Sequence, residues 1–172
     1  AGGLLLMLFP RRHRDIRVFA LGVSLLDFIV SLHLPAHFDR ARTGFQFQIN
    51  CSWITHPNIH YHMGVDGISL WLVVLTTFLT PLCVLISWNS INDRVKEFFI
   101  LLLVMETALI GVFVALDLFL FYFFWEATLI PMALLIGMFG HGRKVYAAVK
   151  VFMYTMIASV FMLSAILWRD AQ

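Results

Sequence analysis

The sequence predicts an all-α membrane protein: a single polytopic bundle over residues 1–172 with one partial and five complete transmembrane helices. Hydrophobic residues make up 61% of the chain and charged residues only 13%, a composition atypical of a soluble domain. Residues 67–92 and 151–168 contain no Asp, Glu, Lys or Arg. At a rise of about 1.5 Å per residue, each stretch is long enough to cross a hydrocarbon core of about 30 Å.

Apolar runs between charged breaks define the elements in order. A partial span is predicted at about 1–9, and complete spans at about 16–34, 68–88, 98–116, 118–140 and 151–168. The first run is too short to span, and its charges follow the apolar residues instead of preceding them as in a signal peptide. We therefore interpret it as the end of a longer helix.

Residues 35–66 form the predicted outer loop. Its polar residues and turn formers separate two spans, and the alternation of apolar and polar residues from Phe45 to Ile49 predicts a short hairpin strand. His56, His60 and His62 lie in this loop without a nearby cysteine or a carboxylate at ligand spacing. We interpret them as ordinary loop histidines, and expect no metal site.

Charge at the helix ends predicts the orientation. The first, third and fifth connections carry nine basic residues and the opposite side carries three. The nine are Arg11, Arg12, Arg14, Arg17, Arg94, Lys96, Arg143, Lys144 and Lys150. The positive-inside rule places these connections in the cytoplasm, and the outer loop and the bend at Asp117 on the other side.

Composition also excludes other classes of function. A net charge of +2, with its basic residues at helix ends and not along one stripe, argues against nucleic-acid binding. Cys51 and Cys83 have no metal-binding spacing, and we interpret neither as a ligand or a disulfide partner.

Two glutamates are the main candidates for chemistry. Glu126 lies in an apolar stretch, where a charge costs roughly 3 kcal/mol at the centre of a span. Glu106 lies on the preceding span, and both residues are predicted at a depth of roughly 14 Å from the outer surface. Desolvation and a second carboxylate both favour the protonated acid, which is what a proton relay needs.

Other readings of these residues stay open. Both glutamates also suit a structural role as hydrogen-bonded residues that join helices. Pro131 leaves the carbonyl of Ala127 without its helical donor, which favours a hydrated site beside Glu126. Asp27 is interpreted as structural, and Lys150, flanked by tyrosines one turn away on each side, as either an interfacial anchor or a relay residue.

Several motifs occur in the order found in one known family. They are Tyr61–Leu70, Leu79–Leu82, Arg94–Phe98, Ala115–Leu118, Phe123–Met132 and Lys150–Thr155. Together they cover nearly the whole chain and resemble subunit M of bacterial NADH-quinone oxidoreductase, the counterpart of subunit 4 of mitochondrial complex I.

The resemblance implies an antiporter-like fold with inverted repeats and a proton relay. It makes Glu126 the essential fifth-helix glutamate, which pairs with a lysine on a later, broken helix, and it places Glu106 on the fourth helix, where a carboxylate also occurs. Since this sequence ends after the sixth helix, we expect it to be the N-terminal part of a longer subunit.

The resulting hypothesis is a proton-translocating subunit of a respiratory NADH-quinone oxidoreductase in a bacterial plasma membrane. No cofactor is expected in this chain, because it has no dinucleotide fingerprint and no cysteine set; NADH, FMN, iron-sulfur clusters and quinone are expected in other subunits. Expected partners are other membrane-arm subunits, especially neighbouring antiporter-like ones, together with the lipid bilayer and protons. The alternatives are a large subunit of a multisubunit sodium/proton antiporter or of an energy-converting hydrogenase, and a structural membrane module.

Overall fold

A computed structural model describes Gly3, Leu6 and residues 13–39, 44–54 and 59–170. The predicted partial span at 1–9 lies outside these residues, apart from Gly3 and Leu6, which are helical. Leu6 is fully buried in a core that forms between the first three long helices. Gly3 lies against the third of these helices, near Val104.

Five long helices and one hairpin make up the described chain. They are α1 (His13–His37), β1 (Gln46–Ile54), β2 (Ile59–Val65), α2 (Gly67–Ser90), α3 (Val95–Val114), α4 (Leu118–Phe139) and α5 (Lys144–Asp170). All five helices have 18-residue windows of mean hydropathy between 1.8 and 2.3, enough to cross a membrane. The predicted all-α polytopic bundle is confirmed.

Aspartates set the starts of two helices at the hairpin end. Asp66 precedes α2 and accepts hydrogen bonds from the backbone N–H groups of Ile68 and Ser69, while the Ser69 hydroxyl accepts from the Asp66 N–H. Asp117 precedes α4 and accepts from the N–H groups of Phe119 and Leu120. These caps satisfy donors that have no partner inside their own helices.

Most of the helices extend beyond the apolar runs that predicted them, and α1 and α5 show this best. Helix α1 continues past Pro35 to His37. Helix α5 begins at Lys144, whereas the sequence predicted a span from about 151. The residues before Val151 are polar enough to mark a membrane interface, but they carry no helix-breaking residue, so the helix continues through them.

Helices α1 and α2 are antiparallel with a register fixed by three contacts. An Arg17 Nη atom donates to the Ile91 carbonyl at 2.7 Å at the end of α2. The rings of Phe28 and Phe78 lie 5.5 Å apart. The hydroxyls of Ser31 and Thr77 share a buried hydrogen bond of 2.6 Å. In this register, the residue numbers of any two residues that lie opposite each other on α1 and α2 add up to about 106 to 108.

Helices α3 and α4 approach closely at a glycine. The Phe124 ring occupies the space where a Cβ on Gly111 would lie. The absence of a side chain at Gly111 therefore positions the helix that carries Glu106 against the helix that carries Glu126.

The basic connections lie at one end of the bundle. A cavity of about 640 Å³ is lined by residues 90–94 of the α2–α3 connection and by residues 137–141 and Lys144 of the α4–α5 connection. Lys144 Nζ donates to the Met138 carbonyl at 2.8 Å in this region. The orientation predicted from charge requires the basic connections to lie on the same side of the membrane, and these two connections lie together.

The hairpin closes the opposite end. Strands β1 and β2 pair antiparallel, with Asn50 opposite His62 and Ile49 opposite Met63. The Leu116 N–H donates to the His62 carbonyl at 2.9 Å, which joins the hairpin to the bend between α3 and α4. The sequence predicted a strand only at 45–49, and the partner strand β2 was not predicted.

Candidate functional site

Glu106 is buried between three helices. Its side chain is 3% exposed, and its Oε1 atom has no hydrogen-bond partner. Thr80 on α2 lies next to the carboxyl group and Asp27 on α1 acts on it electrostatically. The Thr80 hydroxyl itself donates to the Thr76 carbonyl at 3.0 Å. Leaving a buried acceptor unsatisfied costs about 1–3 kcal/mol, so this atom calls for water or another donor.

Glu126 has a different environment. Tyr122 lies one turn earlier on α4, and its phenol group interacts electrostatically with the Glu126 carboxyl group. Its Oε1 atom is buried and has no hydrogen-bond partner. Buried Pro131 lies five residues further along α4 and has no N–H to donate to the Ala127 carbonyl, so another polar group lacks its helical partner next to Glu126.

The two glutamates lie at matching depths but have different partners. Glu106 is eight residues from the end of α3 at Val114, and Glu126 is eight residues from the start of α4 at Leu118. Eight residues correspond to about 12 Å along each helix. The partners of Glu106 lie on α1 and α2, whereas Tyr122 lies on the same helix as Glu126. Each glutamate therefore has its own polar neighbours. That the two share one proton-relay layer stays a prediction.

Lys150 lies between two aromatic rings on α5. Its Nζ atom is 5.8 Å from the Tyr146 ring centroid and 5.9 Å from that of Tyr154. All three side chains are exposed. Cation–π contacts of this kind stabilise an ammonium group at the edge of a membrane. The structure thus gives Lys150 the surroundings of an interfacial cation, and its relay role stays a prediction.

The structure describes only some of the three loop histidines. His56 is not among the described residues, and of His60 only the backbone is described. His62 Nε2 lies 3.5 Å from Gln48 Oε1 across the hairpin. No group of three or more His, Cys, Asp or Glu side chains suited to a metal ion occurs within 13–39, 44–54 and 59–170.

Three polar neighbours of the glutamates were not recognised in the sequence. Tyr122 precedes Glu126 by four residues, a helical spacing that could have identified it. Thr80 and Asp27 reach Glu106 from other helices, and only the packing of α1 and α2 against α3 reveals them. Asp27 was interpreted from the sequence as structural, but in the structure it acts on Glu106, a candidate relay residue.

Comparison with known proteins assigns the family. Residues 41–112 match the family described as "NADH-ubiquinone oxidoreductase chain 4, amino terminus". Residues 115–169 match the family described as "NADH:quinone oxidoreductase/Mrp antiporter, TM". The two matches adjoin and together cover most of the chain.

Curated relatives agree with these matches. The chain is 50% identical over 156 residues to NADH-quinone oxidoreductase subunit M of Rhodobacter capsulatus, covering 91% of this chain and 30% of that protein. It is 45% identical over 168 residues to NADH-ubiquinone oxidoreductase chain 4 of Arabidopsis thaliana, covering 96% of this chain and 34% of that protein. The chain thus spans about a third of the length of these curated relatives. It belongs to the family of NADH-quinone oxidoreductase subunit M and NADH-ubiquinone oxidoreductase chain 4.

Proposed function

We propose that this chain forms part of a proton-translocating membrane subunit of a respiratory NADH-quinone oxidoreductase in the plasma membrane of a bacterium. Its expected partners are the other membrane-arm subunits, especially neighbouring antiporter-like subunits, and the surrounding lipid. NADH oxidation and quinone reduction take place in other subunits, which hold FMN and the iron-sulfur clusters. This chain contributes proton-binding groups within the membrane.

The environment of Glu126 carries the proposal. It combines a carboxyl group about 12 Å from the end of a membrane-spanning helix, the neighbouring phenol of Tyr122 and an Oε1 atom without a partner. A purely structural carboxyl group would be expected to have both oxygens satisfied. An unsatisfied oxygen next to a carbonyl freed by Pro131 favours bound water, through which a proton can reach or leave the acid.

The chemistry required of Glu126 is reversible protonation. The phenol of Tyr122 lies one turn away on the same helix, and a hydrogen bond from its hydroxyl would stabilise the charged form of Glu126 and fix its orientation. A cation that approaches Glu126 favours release of its proton, and withdrawal of that cation favours uptake. Movement of a positive group elsewhere in the complete subunit would then load and unload this site.

The decisive experiment replaces Glu126 by glutamine in the full-length subunit. Glu126→Gln retains the side-chain shape and much of the hydrogen bonding but removes the titratable proton. Formation of a pH gradient and oxidation of NADH are measured in membrane vesicles and normalised to the amount of assembled complex. We expect assembly to be retained and proton pumping to fall by about a hundredfold, a contribution typical of a positioned acid or base.

Glu97→Gln is the matched control. Glu97 is an exposed carboxylate in the first turn of α3, at the basic end of the bundle, and its replacement should leave pumping unchanged. A normal pH gradient per NADH in Glu126→Gln would mean that this glutamate only joins helices, and the proposal would fail.

The second candidate function is sodium/proton antiport. It is favoured by the description of the family matched by residues 115–169, which includes Mrp antiporters. The same vesicles distinguish the two: a pH gradient driven by NADH without sodium supports the oxidoreductase, whereas proton movement that requires an imposed sodium gradient supports the antiporter.

A further inference from the structure

A polar layer crosses the interface of α1, α2 and α3. Ser24, Asp27 and Ser31 on α1 recur at the three- and four-residue spacings of one helix face, and Ser24 and Ser31 are buried. On α2, Thr77 and Thr80 are buried on the face that meets them. The remainder of this interface is mostly apolar, so these hydroxyls and carboxyl groups form a distinct layer within the membrane-spanning region.

The helix register places Asp27 opposite Thr80. Ser31 bonds to Thr77, and antiparallel packing pairs a residue one turn earlier on α1 with one a turn later on α2. That step leads from Ser31 to Asp27 and from Thr77 to Thr80. Thr80 in turn lies next to the Glu106 carboxyl group, on which Asp27 also acts electrostatically. Asp27, Thr80 and Glu106 therefore follow one another across three helices.

Backbone carbonyls in this layer also lack their helical donors. Pro35 has no N–H to donate to the Ser31 carbonyl, and Pro81 has none for the Thr77 carbonyl. These are the two residues whose hydroxyls share the 2.6 Å hydrogen bond. Together with the unpartnered Oε1 of the buried Glu106, they provide several acceptors that water molecules can satisfy.

The two ends of this series differ in exposure. Asp27 is exposed at the edge of the interface between α1 and α2, whereas Glu106 is almost completely enclosed. Thr80 lies between them and is buried. Groups outside the three helices can therefore reach Asp27 directly, but they reach Glu106 only through the polar layer.

We propose that Asp27, Thr80 and ordered water form a proton branch that connects the enclosed Glu106 to the exposed edge of the α1–α2 interface at Asp27. The branch rests on the proposed function, and it adds a proton-exchange site to that of Glu126. Its ligands are water and protons. In one transfer, the Asp27 carboxylic acid gives a proton to the adjoining water or hydroxyl, each intervening group accepts one proton and passes one on, and the Glu106 carboxylate receives one. Asp27 ends as a carboxylate and Glu106 as a neutral acid.

Hydrogen–deuterium exchange of Glu106 tests the branch directly. The assembled protein is held at a pH low enough to protonate Glu106, and the infrared C=O stretching band that disappears in Glu106→Gln is assigned to its acid group. After rapid transfer into D₂O, the rate at which this band shifts reports proton exchange at Glu106. We expect Asp27→Asn and Thr80→Val each to slow that exchange by about tenfold or more, while Asp27→Glu retains most of the rate.

Thr76→Val is the matched control for Thr80→Val. Thr76 lies one turn from Thr80 on α2, and its hydroxyl is exposed and donates to the Leu72 carbonyl of its own helix. Its removal should leave the exchange rate unchanged. An unchanged rate in Asp27→Asn overturns the proposal whatever Thr80→Val shows. Should Asp27→Asn fail to assemble, Asp27→Ser removes the same carboxyl group and is judged by the same criterion.

This readout is separate from proton pumping. If Glu126→Gln pumped normally, the proposed function would fail while the exchange at Glu106 could still be measured. Conversely, rapid exchange in the Asp27 variants combined with loss of pumping in Glu126→Gln would reject the branch alone.

Discussion

Tyr122 lies one helical turn before Glu126, and its phenol hydroxyl is the polar group of α4 that acts on the glutamate's carboxyl group. Removing that hydroxyl with Tyr122→Phe should lower proton pumping by about tenfold without loss of assembly, because a hydrogen bond to a charged group contributes about 1.5–3 kcal/mol. Pumping per assembled complex in vesicles is the measurement. Tyr154→Phe, which removes an exposed phenol hydroxyl but keeps the ring beside Lys150, should have no effect. Equal pumping by the two variants would remove Tyr122 from the site.

Glu106 should tolerate a displacement of one turn. Ile110 lies four residues beyond it on α3, and in the antiparallel packing of α3 on α2 this step leads from Thr80 towards Thr77. We expect Glu106→Ala with Ile110→Glu to regain part of the proton pumping lost in Glu106→Ala, since the moved acid, displaced by about 6 Å, meets the neighbouring hydroxyl layer. Glu106→Ala with Val104→Glu is the control, because Val104 is exposed on another face. Absence of any rescue by position 110 in an assembled complex would show that Glu106 needs its own fixed partners.

Gly111 should not tolerate a methyl group. The Phe124 ring fills the position of an added Cβ, so Gly111→Ala must displace that ring or the helix that carries it, and overpacking of this kind costs about 1–3 kcal/mol. We expect a lower melting temperature and less assembled complex. Gly22→Ala is the matched control, since no atom lies within 4 Å of a Cβ at that position of α1. If both variants melted alike, the close approach of the two helices at Gly111 would be wrong.

Asp66 should make the start of α2 sensitive to acid. The hydrogen bond from the Ser69 N–H, followed by the interaction with the Ser69 side chain, holds the pKa of Asp66 below its ordinary value. A depressed pKa in the folded state contributes stability above the unfolded pKa, and this contribution is lost as the pH falls through the folded value. Asp66→Ala should therefore destabilise the protein by about 1 kcal/mol at neutral pH.

Thermal unfolding in detergent at neutral pH and below about pH 3 measures this effect. The difference between the wild type and Asp66→Ala should shrink in acid. Asp66→Asn, which keeps an acceptor oxygen but does not titrate, should remove the pH-dependent part alone. A difference that stayed constant across this range would contradict the capping role of the carboxylate.

Cysteine labelling should find the basic connections in the cytoplasm. In a background without Cys51 and Cys83, a cysteine at position 143 should react with an impermeant reagent only in inverted vesicles, and one at position 58 only in sealed cells. The nine-to-three distribution of Lys and Arg is the physical reason. Labelling of position 143 from outside sealed cells would contradict the predicted orientation of the helices.

The helices could be predicted because each depends on local sequence. The length of the apolar run alone indicates α2 and α3. A long run with few or no charges satisfies its backbone hydrogen bonds in a bilayer by forming a helix. The start of α5 at Lys144 was harder to predict, because hydropathy detects the membrane boundary and not the end of the hydrogen-bonded helix. Strand β2 was missed since its pairing with β1 is a contact between segments.

The candidate site was predictable only in part. The isolation of Glu106 and Glu126 among apolar residues is visible in the sequence, because burial of a charge is costly wherever the chain folds. The contact of Thr80 with Glu106 depends on the rotation of α2 about its axis. Hydropathy does not determine that rotation, so the hydroxyl partner and the neighbouring Asp27 appear only after the helices are packed.

The hydrogen bond from Leu116 to His62 couples the hairpin directly to the helical bundle. Leu116 is followed directly by Asp117, whose side chain anchors the first turn of α4. A displacement of the hairpin, for example by a bound antibody fragment, would therefore be transmitted to the helix of Glu126 through two consecutive residues, Leu116 and Asp117.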